Sequence, residues 1–315
     1  MDYRLWTMDF KNKTLIVIAG PTASGKTAAA ISLAQHYNTV VVSADSRQFF
    51  REMSIGTAKP TGAELAAAPH YFINSHSITE PFSVGDFERQ CLQLLDELFK
   101  KHDVVILAGG SGLYIRAITE GFDDLPTADP DIRDRLNTEL AINGIEALQE
   151  RLKEIDPTYY SEVDINNPQR VIRALEVHES TGKTFSSYRT SKINKRPFNI
   201  IKLGLDMPRE KLYDRINQRV DIMVKDGLLE EVAGLTPYRQ YNALNTVGYT
   251  ELFDYLDGKT DLDTAIASIK QNTRRFAKRQ LTWFRKDKDI VWFDAGDEKL
   301  VDNILSEISK VRDLA

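Results

Sequence analysis

LIVIA, Leu15 to Ala19, runs directly into GPTASGKT, Gly20 to Thr27. Five consecutive apolar residues suit a strand buried on both faces of a parallel sheet. The eight that follow fit G-x-x-x-x-G-K-[ST], and the residues after Thr27 are helix formers, so Lys26 to His36 is expected as a helix. Strand, Gly-rich turn and helix together form a phosphate loop. Its glycines let the backbone turn its amides inward, and the helix N-terminus adds a dipole that favours an anion. Gly20, Pro21, Thr22, Ala23, Ser24, Gly25, Lys26 and Thr27 are therefore the expected phosphate-binding residues. Lys26 supplies a point charge, and Thr27 offers a hydroxyl to Mg²⁺.

Working outward, Val40-Val41-Val42 and Val104-Val105-Ile106-Leu107 read as two more buried strands. Between them Ser83, with Asp86 three residues on, signals the start of a helix carrying Phe87, Cys91, Leu94, Leu95 and Leu98 at helical spacing. Strands alternating with helices imply a doubly wound parallel α/β sheet. From Asp131 to about Tyr188 the pattern is helical only, with Leu136, Leu140, Ile145, Leu148 and Leu152, then Val171, Ile172, Leu175 and Val177. Strand character returns at Ile200 to Leu205, Pro208 opens a further helix, and Ile290 to Phe293 is a short strand before a C-terminal helix. The expected division is a core over 1–125 and 198–315, with a helical insertion domain over 126–197.

Composition excludes several classes. In 315 residues there is one cysteine, Cys91, so no intramolecular disulfide forms, which fits a reducing compartment; Cys91 reads as a small core residue. The N-terminal MDYRLWTMDFKNK lacks the apolar run of a signal peptide, and no stretch approaches a membrane span. A cytoplasmic protein with no membrane partner is expected. The five histidines show no metal-ligand spacing. Net charge is −5, so any nucleic-acid surface must be local. Arg274 to Lys288 is such a place, with seven Lys or Arg against one acid, Asp287. Beside it Phe276, Trp283 and Phe284 could stack on bases, but their spacing favours core packing.

The strand ending at Leu107 has no acid after it, unlike many nucleotide hydrolases. Instead Asp45 follows the second strand. Parallel strands deliver their C-terminal ends to one crevice, so Asp45 is placed either to accept a proton from a nucleophile or simply to cap a turn. Three readings follow from the residues: a small P-loop kinase, a transferase with diphosphate as leaving group, or a nucleotide-dependent RNA-binding module without chemistry. An acid facing the phosphate loop argues against the last.

GPTASGKT, SADSRQ (Ser43 to Gln48), IGTAKP (Ile55 to Pro60), GGSGLY (Gly109 to Tyr114), LPTADPDIRDRL (Leu125 to Leu136), NPQRVIRALE (Asn167 to Glu176), NTVGY (Asn245 to Tyr249) and RRFAKRQLTWFR (Arg274 to Arg285) occur in that order across most of the chain. Together they resemble the bacterial tRNA dimethylallyltransferases. Two departures stand out: Ser111 and Phe50 occupy positions where the family usually has Thr and Tyr, and only the first keeps its hydroxyl. The resemblance implies transfer of a dimethylallyl group from dimethylallyl diphosphate to the exocyclic N6 amine of an adenosine next to the anticodon, with Mg²⁺ as cofactor and no ATP consumed. The alternative acceptors are a small molecule or nucleotide phosphorylated by a kinase, or a free adenine nucleotide. On the family reading Asp45 and Ser111 are catalytic. Asp45, Ser46, Arg47, Gln48, Ser111, Arg133, Gln169, Arg170, Val171, Ile172 and Arg173 contact the tRNA anticodon stem-loop, Gln48 pairing with an adenine edge and Arg170 and Arg173 sharing one helical face. A monomer is expected.

Overall fold

The computed structural model describes residues 12–123, 125–126, 129–189 and 194–313. The N-terminal reading over MDYRLWTMDFK, and Thr127 and Ala128 of the LPTADPDIRDRL stretch, lie outside them. The first half of the core runs β1 (Thr14–Ala19), α1 (Lys26–His36), β2 (Val41–Ser43), α2 (Gly62–Ala67), β3 (His70–Tyr71), α3 (Val84–Phe99), β4 (Val104–Gly109) and α4 (Gly112–Thr119). Five helices follow: α5 (Pro130–Asn143), α6 (Glu146–Ile155), α7 (Pro157–Glu162), α8 (Pro168–Thr181) and α9 (Phe185–Tyr188). The chain then returns through β5 (Asn199–Asp206), α10 (Arg209–Lys225), α11 (Leu228–Gly234), α12 (Tyr249–Leu256), α13 (Leu262–Phe284), β6 (Val291–Asp294) and α14 (Leu300–Asp313).

Six strands form one sheet in the order β3-β2-β4-β1-β5-β6, and each pairing is parallel. β1 is central, with Ala19 level with Gly109 of β4 on one side and Gly204 of β5 on the other. The chain leaves β1 in one direction for β2 and later returns to the other side of β1 as β5. This is a switch of strand order, and ligands of open α/β sheets bind outside the strand ends at such a point.

The period-two geometry of a strand explains the unbroken apolar run of β1. Leu15 and Val17 pack on one face with Phe87, Cys91 and Leu95 of α3. Ile16 and Ile18 pack on the other with Ala30 and Leu33 of α1 and Ile304 and Ile308 of α14. Ser83 and Asp86 form a reciprocal capping box at the start of α3: Ser83 Oγ accepts the Asp86 amide at 3.2 Å and Asp86 Oδ2 accepts the Ser83 amide at 3.0 Å. The two-residue β3 and the short α2 have too few residues to show an apolar period; what marks α2 in the sequence is Thr61 with Glu64 three residues on, which form a reciprocal capping box at its start.

The chain separates into two compact units, residues 1–119 with 196–315, and residues 120–195. The second unit is helical, with a core of Leu136, Leu148, Leu152, Tyr159, Val171, Ile172, Ala174 and Leu175. Gly144, at φ 77°, closes α5 and separates it from α6. Among the described residues no helix is long and apolar enough to cross a membrane.

Candidate active site

The loop between β1 and α1 is built for an anion. Gly20, at φ 153°, would bring a Cβ to 2.5 Å from the carbonyl oxygen of Leu205, so any side chain there must displace β5. Ala23 (φ 64°) and Gly25 (φ 89°) also take left-handed backbone, which turns successive amides toward one concavity. α1 starts without a side-chain cap and without an acid in its first turn. Its first amides are therefore left for a ligand. Ser24 Oγ is buried and has no hydrogen-bond partner among the described residues, which likewise fits an anion not supplied by the protein itself.

Cations surround this loop. Lys26 Nζ folds back to donate to the carbonyl of Pro21 at 2.6 Å. Its pKa is pushed down to about 7, by burial first, with nearby Asp45 opposing and Arg219 reinforcing the fall. Arg219 of α10 reaches Thr22 Oγ1 at 3.5 Å, and burial and Arg215 lower its own pKa. Arg215, one turn earlier on α10, lies 3.8 Å from where a Cβ on Gly25 would stand. Like charges crowded in this way are stabilised by a bound polyanion. Neither arginine stands out in the sequence, where RINQRV reads as ordinary helix-surface charge.

The acid side of the crevice lies at the ends of β2 and β4. Asp45 Oδ1 accepts the amides of Arg47 at 2.9 Å and Gln48 at 3.3 Å, so it does cap the turn. Among the described residues nothing hydrogen-bonds Asp45 Oδ2, which leaves half of the carboxylate for chemistry. Ser111 Oγ accepts the amide of Ser46 at 3.0 Å, joining the turn after β2 to the turn after β4. Arg47 is held by the carbonyl of Asn245 at 3.4 Å. Gln48 is not free to read a base edge on both sides. Its Oε1 accepts Ser43 Oγ at 3.1 Å, and its Nε2 donates to the carbonyls of Thr57 and Ala58 at 3.3 and 3.1 Å. A bidentate adenine contact requires breaking these bonds; as placed, Gln48 instead anchors the IGTAKP segment. Phe50, which stands where the family usually has a phenol, is buried in an apolar cluster with Phe49 and Met53.

α13 lies across the same end of the sheet. Gln280 is buried, and its amide joins the Thr22 amide (2.8 Å) to the Gly110 carbonyl (2.9 Å). Trp283 packs on Gly112, where a Cβ would meet its ring at 2.1 Å. The outer face of α13 carries Arg275, Lys278, Arg279, Thr282 and Trp283, which with Lys286 just past its end surround a groove of about 420 Å³. Of the three aromatics expected in the core, only Phe284 is there, at 2% exposure; Phe276 and Trp283 are 38% and 40% exposed. Helical phase explains the split, since a basic face about three turns long must also carry whatever falls on it.

The helical unit corrects two further expectations. Val171 and Ile172 have no exposed surface and belong to the core of the unit, so their side chains cannot touch a partner. Arg170 and Arg173 do not act as a pair. Arg170 and Gln169 are exposed, whereas Arg173 bonds Glu176 Oε2 at 3.1 Å and the Pro126 carbonyl at 2.7 Å. Arg133 bonds the same Glu176 oxygen at 2.8 Å. Glu176 is fully buried, and one buried carboxylate thus holds both arginines.

The oxygen donors at the loop suit Mg²⁺ arriving on a phosphate ligand. Thr27 offers one hydroxyl, and among the described residues no group of three His, Cys, Asp or Glu could hold a metal unaided. Mg²⁺ commonly keeps few protein ligands and takes the rest from phosphate and water.

A family model described as IPP transferase matches residues 48–287. The tRNA dimethylallyltransferase of Christiangramia forsetii is 56% identical over 94% of this chain and 98% of that protein. That of Cytophaga hutchinsonii is 54% identical over 92% of this chain and 95% of its own length. Among solved structures, the full-length tRNA isopentenylpyrophosphate transferase of Bacillus halodurans superposes with a TM-score of 0.72 at 40% identity, covering 96% of this chain and 97% of that one. A eukaryotic dimethylallyltransferase acting on tRNA gives a TM-score of 0.76 at 26% identity, covering 94% of this chain and 77% of that one. The phosphate loop precedes the matched segment, and the folds agree over both. The chain belongs to the IPP transferase family, that of the bacterial tRNA dimethylallyltransferases.

Proposed function

We propose that this protein transfers a dimethylallyl group from dimethylallyl diphosphate to the N6 amine of an adenosine adjacent to the anticodon in tRNA. The carrying observation is the pairing of an uncapped, cation-lined phosphate loop with a carboxylate that has one oxygen unclaimed. The loop amides with Lys26, Arg215 and Arg219 bind the diphosphate. Thr27 would hold Mg²⁺ through its hydroxyl, and the ion would supply neutralisation of charge on the leaving diphosphate. The bond between the allyl carbon and the diphosphate oxygen breaks, and its electron pair leaves with the diphosphate. N6 attacks the carbon, and Asp45 Oδ2 takes the N6 proton. Ser111, fixed by Ser46, lies on the acceptor side and hydrogen-bonds the incoming nucleotide.

The adenosine must be unstacked to reach this crevice. Ser46, Arg47 and the exposed groove on α13 receive the flipped nucleotide and its neighbouring phosphates, and Trp283 offers an aromatic face for stacking. Gln169 and Arg170 are the members of the α8 set open to tRNA. Arg133 and Arg173 contribute a guanidinium edge each while Glu176 fixes their direction. The reading implies a cytoplasmic protein working as a monomer.

The test offers the pure protein labelled dimethylallyl diphosphate with bulk tRNA and, separately, γ-labelled ATP with small acceptors. Label should move from the prenyl donor to tRNA and not from ATP. Transfer from ATP alone would replace this reading with a kinase.

A further inference from the structure

Two loops that share no covalent connection shorter than the whole α1–β4 segment must keep a fixed separation if the reaction is as proposed. One follows β1 and binds the leaving group. The other follows β4 and carries Ser111 on the acceptor side. Their strands are adjacent and in register at Ala19 and Gly109, but a pair of loops beyond the last ladder bond is not held by the sheet. Among the described residues, the side chain of Gln280 spans them with hydrogen bonds to both.

Its Oε1 accepts the Thr22 amide at 2.8 Å and its Nε2 donates to the Gly110 carbonyl at 2.9 Å. The residue is 7% exposed. The space is shaped around it, since a Cβ on Gly110 would stand 2.4 Å from Gln280 Nε2. A glutamine on the buried face of a helix otherwise costs desolvation with no return. Here both ends of its amide are satisfied by loop backbone, and both partners are loop groups that the sheet leaves without ladder partners. Trp283, three residues on, packs on Gly112, and Ala277 shares a buried cluster with Ala23 of the donor loop, so α13 is docked on both loops.

We infer that Gln280 is a positioning residue for the transfer, setting the distance between the donor-binding loop and the Ser111 turn through one amide bonded to Thr22 and Gly110. It touches neither substrate. This rests on the proposed prenyl transfer. Misplacing reacting groups by about 1 Å can cost on the order of 10²-fold in rate, so loss of the amide should act on the chemical step at saturation more than on tRNA affinity.

The experiment compares wild type with Gln280→Met, which fills similar volume without polar atoms, and with Gln280→Glu. A neutral carboxylic acid can accept from Thr22 and donate to Gly110 as the amide does, whereas a carboxylate faces the Gly110 carbonyl with no proton to give. Gln280→Met should transfer the prenyl group about 10–100-fold more slowly at saturating donor and tRNA. Its tRNA Kd should stay within about twofold, and its inorganic diphosphate binding should weaken because Thr22 loses its anchor. The rate of Gln280→Glu relative to wild type should rise as pH falls from about 8 to about 6, as the new carboxyl takes up its proton. A packing role alone does not produce that pH dependence. A folded Gln280→Met that transfers at the wild-type rate overturns the inference, and so does a loss of tRNA affinity that accounts for the whole defect. If Gln280→Met does not fold, a pH-independent ratio for Gln280→Glu overturns it. Should wild type itself move no label to tRNA, the transferase reading fails separately, and unchanged diphosphate binding by Gln280→Met then overturns the inference as well.

Discussion

The amide nitrogen of Ser46 donates to Ser111 Oγ at 3.0 Å, which ties the turn that carries Asp45 to the turn that follows β4. Asp45 sits one residue before that contact, with Oδ1 committed to the Arg47 and Gln48 amides. Its carboxylate is thus oriented by backbone rather than by another side chain.

That geometry makes Asp45→Asn an informative variant. An asparagine carbonyl can keep accepting the two amides, so the turn should survive while the proton acceptor is lost. Single-turnover prenyl transfer should slow by about 10²–10⁴-fold, with inorganic diphosphate and tRNA affinities little changed. Transfer at the normal rate would reduce Asp45 to a turn residue.

Lys26 predicts a proton linkage. In the free protein its pKa is about 7, lowered by burial against the opposing pull of Asp45. Above that pH the side chain is mostly neutral. A bound diphosphate favours the ammonium and raises the pKa again. Binding should therefore take up a proton between about pH 7 and about pH 10, and affinity should fall as pH rises through that window, by up to about tenfold per pH unit. Calorimetry in buffers of different ionisation enthalpy measures the uptake. Lys26→Met should bind diphosphate more weakly and lack this component, and the comparison cancels the ligand's own ionisation. Equal proton uptake by both proteins would rule Lys26 out as its source.

Glu176 predicts a local fall in stability. It is the fully buried acid shared by Arg133 and Arg173, which are 37% and 24% exposed. Glu176→Ala leaves two partly buried guanidiniums facing each other without their counter-charge. Breaking a buried pair costs about 3–5 kcal/mol; because water reaches both arginines, the lower end of that range is expected. Hydrogen exchange should quicken in residues 120–195 while amides of β1 and β4 keep their protection. An unchanged exchange pattern in the helical unit would mean that the shared carboxylate contributes little.

Removing the helical unit predicts a separation of donor and acceptor binding. Arg196 donates to the carbonyls of Ala117 at 2.5 Å and Ile118 at 2.7 Å, which keeps the two cut ends of the remaining core together. A protein in which a short Gly-Ser bridge replaces residues 120–195 should fold and still bind inorganic diphosphate. Its tRNA affinity should fall, and the slope of log K against log salt should shrink by about 0.7–0.9 for each tRNA phosphate that the shortened protein no longer neutralises. Full tRNA affinity in the shortened protein would mean that Gln169, Arg170 and their neighbours contact no tRNA.

What the sequence determined by itself are the features whose physics is local. Gly20 to Thr27 specify a phosphate loop because the glycines, the flanking strand and the helix start are contiguous, and their backbone conformations follow from neighbours. The Ser83–Asp86 capping box spans three residues and forms as its spacing dictates. β1, β2, β4, β5 and β6 lie within a residue or two of their apolar runs; for β1, β2 and β4 the reason is that a strand buried on both faces must be apolar on both, whereas β6 is a half-exposed edge strand. Tertiary structure decided what depends on helical phase and on docking between distant segments. Gln280 lies 258 residues from Thr22, and Arg219 lies 197; no spacing rule connects them, and each reads alone as helix surface. Rotation of α8 turned Val171 and Ile172 into the core and left Gln169 and Arg170 outside. Arg133 and Arg173 look alike in sequence to any solvent-facing arginine. Only the packing of α5 on α8 gives them a common buried carboxylate, because a charge withdrawn from water requires a partner, and that partner is chosen by the fold.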